Sequence, residues 1–259
     1  MKYKYPFTNS VVFALVMQED PELCRDLLQL IFPDRQIQKV RPRTGFPDAE
    51  HTIIPGIDIH QIRLDVLFKD SEAWYDIEMQ VRDENDLPKR TRYTHAAMDT
   101  ERLNRGDEYS ELIPGYVIFL CCFDQFEKNR PVYRFHMYDP KNSLPLGDES
   151  YTIILNSRCD DPTVPKPLRE LFRYMNESEV SEGNQLLRRI DDSVADWNRG
   201  GKVRQIMTLE QEIQMRENKI RKEAREQGRA EEREKNVSEL MKNLGLTREE
   251  AIRALGVAI

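Results

Sequence analysis

The sequence has few of the residues that build zinc sites or disulfide-rich folds. Its 259 residues include four cysteines and four histidines. The cysteines, Cys24, Cys121, Cys122 and Cys159, lack the spacing of metal ligands, and the histidines are scattered singly. We therefore expect free core thiols in a reducing compartment, which predicts a cytoplasmic protein.

The chain also lacks long apolar segments and an excess of positive charge. No stretch reaches the roughly 20 apolar residues of a membrane span, and the opening MKYKYPFTNS has no apolar signal core. We therefore expect no membrane association. The net charge of −7 argues against non-specific coating of nucleic acid, so any DNA contact should be local or bridged by a metal ion.

Two apolar-alternating segments between Gln61 and Gln80 predict a β-hairpin. Apolar residues recur at every second position over residues 62–68, and the alternation resumes over residues 73–81. The polar sequence KDSE between them is typical of a short turn. The alternation places Trp74, Asp76, Glu78 and Gln80 on one face of the second strand.

This hairpin would concentrate acidic side chains on one face. With an even turn centred on residues 70–71, Asp65 would lie opposite Asp76, and Glu78 would be its diagonal neighbour. Like charges so close are destabilising unless a cation compensates them, and Mg²⁺ prefers carboxylate oxygens. Gln80 would then orient a water or a phosphate oxygen. The alternative is a solvated face balanced by neighbouring basic residues, Arg63 or Lys69.

A group of cations follows the hairpin at the start of a helix predicted over residues 86–104. Lys89, Arg90 and Arg92 oppose the helix dipole there, so they require an anion or nearby acidic residues. We expect ion pairs with acidic residues just before the helix, and a phosphate site is the alternative. These acidic residues are Asp83, Glu84 and Asp86.

The order of predicted elements indicates an α/β fold. Helices over residues 11–17 and from Pro21, a short strand over residues 36–43, the hairpin, the helix and a buried strand over residues 113–123 follow one another. This αβββαβ order predicts a three-layer domain with a mixed central sheet. Later strands, over residues 132–138 and 151–155, are expected to be antiparallel and near an edge.

The αβββαβ order, with Asp65 in the second strand and Glu78-Met79-Gln80 in the third, resembles the PD-(D/E)XK nuclease superfamily. The likeness is closest to its recombination-promoting nuclease and transposase branch, the Rpn-like family. PFTNSVVFALVMQEDPELCRDLLQLIF resembles the first helix of that family, and RLDVLFKD with WYDIEMQ resembles its active-site hairpin. The charged C-terminal region also resembles the helical extension common in these proteins.

The resemblance implies a metal-dependent DNA endonuclease associated with mobile elements. By position, Asp65, Glu78 and Gln80 would be the catalytic residues. Asp65, Glu78 and the backbone carbonyl of Met79 would hold Mg²⁺ or another divalent cation, and Gln80 would occupy the position usually held by lysine.

The chain departs from the family pattern at Gln80, which cannot supply the positive charge of a lysine, and in the first helix, where the departure favours a different function. The first helix of the family often reads F-x-N-D-x-x-F-K, whereas Ser10 and Ala14 occupy the acidic and basic positions here. The alternative is therefore a catalytically inactive descendant that acts as a DNA-binding or oligomerising protein.

The C-terminal region has a different character from the α/β part. We predict a nuclease-like domain over residues 1–160, a helical support over residues 161–201 and a charged helical extension over residues 202–259. Isoleucines recur every seven residues at 206, 213 and 220, which would allow pairing with a partner helix in a homo-oligomer, or simply mark a solvated helix. Thr247 and Glu250 form a capping box that opens the last helix of a helix-turn-helix-like hairpin, for which an interaction role or a simple structural role is favoured over DNA binding.

Overall fold

The chain forms two compact units, Met1–Arg204 and Gln205–Ile259. The computed structural model describes residues 2–42, 66–103, 106–199, 203, 235–239, 241–242 and 247–250. In the second unit, residues 235–239 are helical, and Thr247 caps a further helix. Its backbone N–H donates to Glu250 Oε2 at 2.8 Å, and Glu250 N–H donates back to Thr247 Oγ1 at 3.4 Å. The predicted capping box is therefore present.

Two helices open the first unit, and each begins at a side-chain cap. Helix α1 is Ser10–Glu19, and Asn9 Oδ1 accepts a hydrogen bond from Val12 N–H at 3.1 Å. Helix α2 is Pro21–Ile31, and Asp20 accepts from the first free N–H groups of that helix. These caps satisfy backbone donors that have no partner within the helix, and the prediction of both helices is confirmed.

Eight strands form one mixed sheet and a small separate ladder among the described residues. The six-stranded sheet has the order β1-β2-β3-β4-β8-β5, in which β3, β4 and β8 are parallel and the other pairs are antiparallel. The strands are β1 Arg41–Pro42, β2 Val66–Lys69, β3 Trp74–Gln80, β4 Gly115–Cys121, β5 Val132–Phe135, β6 Tyr138–Asp139, β7 Leu144–Pro145 and β8 Ser150–Asn156, of which β6 and β7 form the ladder. The predicted α/β class with a mixed central sheet is confirmed.

Two strand predictions need correction. The expectation that residues 151–155 form an antiparallel strand nearer an edge holds on one side only, because β8 is antiparallel to the edge strand β5 but parallel to β4. After β4 the chain forms β5, which is the edge strand of the sheet. Strand β8 then lies between β4 and β5, so both of its edges are hydrogen-bonded. The strand predicted over residues 36–43 is reduced to the two residues of β1.

Helix α3, Leu87–Arg102, covers one face of the sheet. Its residues Leu87 and Met98 are buried in a cluster with Val117 and Phe119 of β4, and Trp74 packs against the same cluster. Because side chains alternate along a strand, Asp76, Glu78 and Gln80 share this face with Trp74. The sheet therefore presents the predicted acidic face to α3.

The other α-helices of the first unit lie toward the opposite face. Phe32, at the end of α2, makes edge contacts with Tyr75 and Tyr116 at ring-centroid distances of 5.9 and 5.0 Å. Helix α4, Lys166–Glu177, contacts α2, and helix α5, Gln185–Arg199, contacts both α1 and α2. Helices on both faces complete the three layers that the element order predicted.

Arginines near both ends of α3 attach it to strand β3. The Arg102 guanidinium carbon lies 5.3 Å from the ring centroid of Trp74, the first residue of β3, and its Nη1 donates to the Ile113 carbonyl at 3.2 Å. A Cβ at Gly115 would lie 3.1 Å from Arg102 Nη2, so a glycine makes room for the guanidinium. At the other end, Arg90 contacts the last residues of β3.

Among the helices that the structure describes, none is both long enough and apolar enough to cross a membrane.

Candidate active site

The turn between β2 and β3 is organised by the carboxylate of Asp70. Its Oδ1 accepts hydrogen bonds from the N–H groups of Glu72 and Ala73, both at 2.8 Å, and its Oδ2 accepts from the Tyr75 hydroxyl at 3.1 Å. Asp70 is buried although it lies in a turn. Its side chain therefore fixes both the shape of the loop and the start of β3.

This loop gives the hairpin a different register from the one that a turn centred on residues 70–71 would produce. Leu67 pairs with Asp76, and Val66 pairs with Ile77, so the prediction that Asp65 lies opposite Asp76 is wrong. The turn spans residues 70–73 and is not centred on residues 70–71, because Asp70 accepts from amides two and three residues ahead. The displacement is two residues, which leaves each side chain of the hairpin on its predicted face.

Glu78 and Gln80 project from the same face of β3 and meet a cation of α3. Arg90 Nη2 donates to Glu78 Oε2, and Arg90 Nη1 donates to Gln80 Oε1 at 2.9 Å. Gln80 in turn donates from Nε2 to the Arg82 carbonyl at 2.8 Å, which fixes the orientation of its amide group. The structure thus brings together two of the three predicted catalytic residues and adds Arg90.

The position of Arg90 corrects the expectation for the cations that open α3. We expected pairing with Asp83, Glu84 or Asp86, but Arg90 pairs with Glu78, twelve residues earlier in the sequence. The side chains of Lys89 and Arg92 are exposed. A cation near a helix start is unfavourable, so the sequence predicted an acidic partner for Arg90. It did not identify that partner as Glu78.

Of the four other residues that the family resemblance singles out, the structure describes three. Asp65 precedes Val66 in the sequence and lies outside the described residues. The side chain of Met79 is buried on the face opposite Glu78, so its predicted contribution concerns only its backbone carbonyl. At the start of α1, Ser10 is exposed, whereas Ala14 is fully buried.

A thiol and an imidazole also lie on the α3 side of the sheet. Burial raises the pKa of the Cys121 thiol far above its ordinary value, so this thiol stays protonated and is a poor nucleophile. His95 of α3 contacts Thr152 Oγ1 through Nε2 at 3.1 Å, and burial lowers the pKa of its ring. Cys24 is buried as expected of a core thiol, while Cys122 and Cys159 are half-buried, and all four cysteines are free.

The donor atoms around Glu78 fit a hard divalent cation. The carboxylate of Glu78 and the neighbouring backbone carbonyls supply oxygen, the donor that Mg²⁺ prefers. One carboxylate oxygen of Glu78 is held by Arg90, so an ion binding that oxygen would displace the guanidinium. Within the described residues, no group of three or more His, Cys, Asp and Glu side chains is arranged to hold a metal.

The fold and this group of residues define a class of protein. A mixed sheet between helical layers, with Glu78 and Gln80 on its central strand, is an α/β domain of the PD-(D/E)XK type. Residues 20–158, more than half of the chain, match the family model of the PD-(D/E)XK nuclease family transposases. The chain therefore belongs to this family, which confirms the resemblance inferred from the sequence. Comparisons with curated proteins and with solved structures found no match.

Proposed function

We propose that this chain is a Mg²⁺-dependent DNA endonuclease that hydrolyses phosphodiester bonds during recombination of mobile elements. Membership of the nuclease family supports the general class. The observation that carries the proposal is the pairing of Glu78 and Gln80 with one guanidinium on the α3 face of the central strand. Asp65 is proposed as the second carboxylate, because it precedes Val66, whose partner Ile77 is adjacent to Glu78.

In this proposal Asp65, Glu78 and the backbone carbonyl of Met79 hold the ion. The Gln80 carbonyl accepts from the N–H of Cys122, the residue that follows β4, at 2.9 Å. Successive carbonyls of a strand point to opposite edges, so the Met79 carbonyl is directed toward β2, the strand that follows Asp65 in the sequence. The ion, when bound, would activate water and neutralise the charge that develops on the phosphate oxygens.

Gln80 is assigned to positioning a water or a phosphate oxygen. Its amide group is held at both ends, by Arg90 at the oxygen and by the Arg82 carbonyl at the nitrogen. A group held in this way loses little rotational freedom when substrate binds, which favours a fixed reacting geometry. As a neutral amide, however, Gln80 cannot supply the charge of a lysine.

The decisive experiment is cleavage of supercoiled plasmid by the purified full chain, with Mg²⁺ and with a chelator. Asp65→Ala should abolish cleavage while the chain stays folded by circular dichroism. Gln80→Ala should slow cleavage and leave Mg²⁺ binding unchanged. Asp34→Ala is the matched control, because Asp34 is an exposed acidic residue beyond α2 and should leave the rate at the wild-type value.

Restoring the family residues tests the inactive alternative. Ser10 is exposed in the first turn of α1, so Ser10→Asp adds a carboxylate where the helix dipole favours it. Ala14 is fully buried, and a lysine there would bury a charge, so Gln80→Lys is the better second restoration. If wild type cuts no form of DNA with Mg²⁺ and neither substitution creates cleavage, the proposed endonuclease activity is refuted. The chain is then an inactive, DNA-binding descendant of the family.

The remaining parts of the proposal concern organisation. We propose the domain limits 1–160, 161–201 and 202–259, a cytoplasmic location, and a homo-oligomer formed through the C-terminal helices. The isoleucine repeat at 206, 213 and 220 motivates the oligomer and lies outside the described residues. Light scattering of the full chain checks this part, since a monomer at micromolar concentration would exclude it.

A further inference from the structure

A positive charge lies within the proposed catalytic group, and it comes from α3 rather than from β3. One nitrogen of the Arg90 guanidinium donates to Glu78 Oε2, and another donates to Gln80 Oε1 at 2.9 Å. A guanidinium is planar and rigid, so two donors of one group fix the relative positions of both acceptors. Arg90 therefore determines where the carboxylate and the amide lie.

The surroundings of Arg90 strengthen this interaction. Its side chain is 20% exposed and that of Glu78 is 6% exposed. The guanidinium carbon also lies 5.7 Å from the ring centroid of Phe119, on the neighbouring strand β4. Charges that are sheltered from water are screened less by solvent and salt than surface charges. The ion pair is thus a built part of the site and not a solvated surface contact.

We propose that Arg90 supplies the positive charge of the active site, in two successive arrangements. Without a divalent ion, the guanidinium pairs with Glu78. When an ion binds Glu78, it displaces the guanidinium, which keeps its hydrogen bond to Gln80 and turns toward a phosphate of the DNA. This inference rests on the proposed nuclease function, since it requires both an ion and a DNA phosphate.

The chemistry of the group explains why an arginine would serve here. Gln80 occupies the position where the family resemblance places a lysine, and an amide carries no charge. The fork of an arginine matches two oxygens of a phosphate, and its charge does not depend on pH in the physiological range. Because Gln80 Oε1 holds one nitrogen, the amide would tether the guanidinium beside the reacting phosphate after Glu78 releases it.

The same helix provides a matched control. Arg92 carries the same charge on α3, and its side chain is exposed. Arg92 lies two residues after Arg90. Arg92→Met therefore removes the same charge from almost the same place on α3 but leaves the contacts to Glu78 and Gln80 intact. Any effect of Arg90→Met beyond that of Arg92→Met reports on the contacts themselves.

The test combines binding and cleavage by the full chain. Calorimetric titration with Mg²⁺ should show Arg90→Met binding the ion about threefold to tenfold more tightly than Arg92→Met, because no guanidinium has to be displaced from Glu78. In plasmid cleavage, Arg90→Met should lower kcat by about 100-fold, with a smaller change in KM. Arg90→Lys should recover part of the rate, since it restores the charge without the fork.

A readout without metal or DNA covers the possibility that Arg90→Met disturbs the fold. In chelator, Arg90→Met should lower Tm, and adding Glu78→Gln should reverse part of that loss, because the double variant no longer buries a carboxylate from which the guanidinium has been removed. If wild type binds Mg²⁺ and cuts DNA while Arg90→Met matches Arg92→Met in both assays, the role of Arg90 is overturned and the proposed nuclease function stands. Weaker Mg²⁺ binding by Arg90→Met also overturns it. A wild-type chain that neither binds Mg²⁺ nor cuts DNA refutes the proposed function itself.

Discussion

Replacing Asp70 by alanine should destabilise the hairpin that carries Glu78 and Gln80. The Asp70 carboxylate accepts three hydrogen bonds, of 2.8, 2.8 and 3.1 Å, and is 7% exposed. Hydrogen bonds to charged groups contribute about 1.5–3 kcal/mol each, so three would contribute about 4.5–9 kcal/mol if they were independent. They share one acceptor group and are not independent.

Because the three bonds share one acceptor group, we expect Asp70→Ala to lower the free energy of unfolding by about 3 kcal/mol, less than the sum for independent bonds. Water can solvate the freed N–H of Glu72, which is exposed, but it reaches the hydroxyl of the fully buried Tyr75 poorly. For a unit of about 200 residues, this loss corresponds to a Tm lower by about 6–12 °C. Asp70→Asn should cost less, about 1 kcal/mol, because it keeps an oxygen acceptor for the two amides.

Urea unfolding followed by circular dichroism measures these differences, with Ser71→Ala as the control at the exposed neighbouring position. Asp70→Ala must lose much more stability than Ser71→Ala. If the two variants differ by less than about 0.5 kcal/mol, the typical range for a surface substitution, the carboxylate does not organise the turn.

Two further predictions concern pH and the C-terminal unit. Burial lowers the pKa of His95 below its ordinary value of about 6.5, so the unfolded chain binds the proton more tightly. The stability that His95 contributes is therefore present above about pH 6.5 and falls as the pH drops below it, and His95→Gln should remove this part of the pH dependence in urea unfolding. A chain that ends at Arg204 should keep a cooperative thermal transition, because all strands of the sheet precede Ser157. A gradual transition would contradict that expectation.

Local sequence patterns predicted the elements that depend on local interactions. The alternation over residues 73–81 predicted β3, and Asn9 and Asp20 predicted the starts of two helices. A strand with one face toward a helix must alternate, and a helix start requires an acceptor for its free amides. Such requirements are visible within a few residues of sequence.

The register of the hairpin required information that the turn sequence does not contain. The sequence KDSE allows more than one loop, and the carboxylate of Asp70 selects the one that ends at Ala73. The resulting shift of two residues preserves which face each side chain occupies, so the predicted acidic face was retained while its cross-strand partners changed. Leu67, and not Asp65, lies beside Asp76.

The pairing of Arg90 with Glu78 could not be predicted for a related reason. The two residues lie on different elements, and their distance depends on how α3 crosses the sheet. That crossing is determined by the packing of Leu87 and Met98 against β4, which involves residues about 20–30 positions later in the chain. Nearby acidic residues were therefore the reasonable but incorrect expectation.

The two arginine contacts of α3 also restrict how the length of this region can vary. Arg90 and Arg102 are separated by twelve helical residues, about 18 Å of rise, and they contact Gln80 and Trp74 at opposite ends of β3, about 20 Å apart. One residue inserted between the arginines would rotate the following part of α3 by about 100° and carry one guanidinium away from the strand. Insertions and deletions among related chains should therefore accumulate in the connections on either side, while the helix and the strand keep a common length.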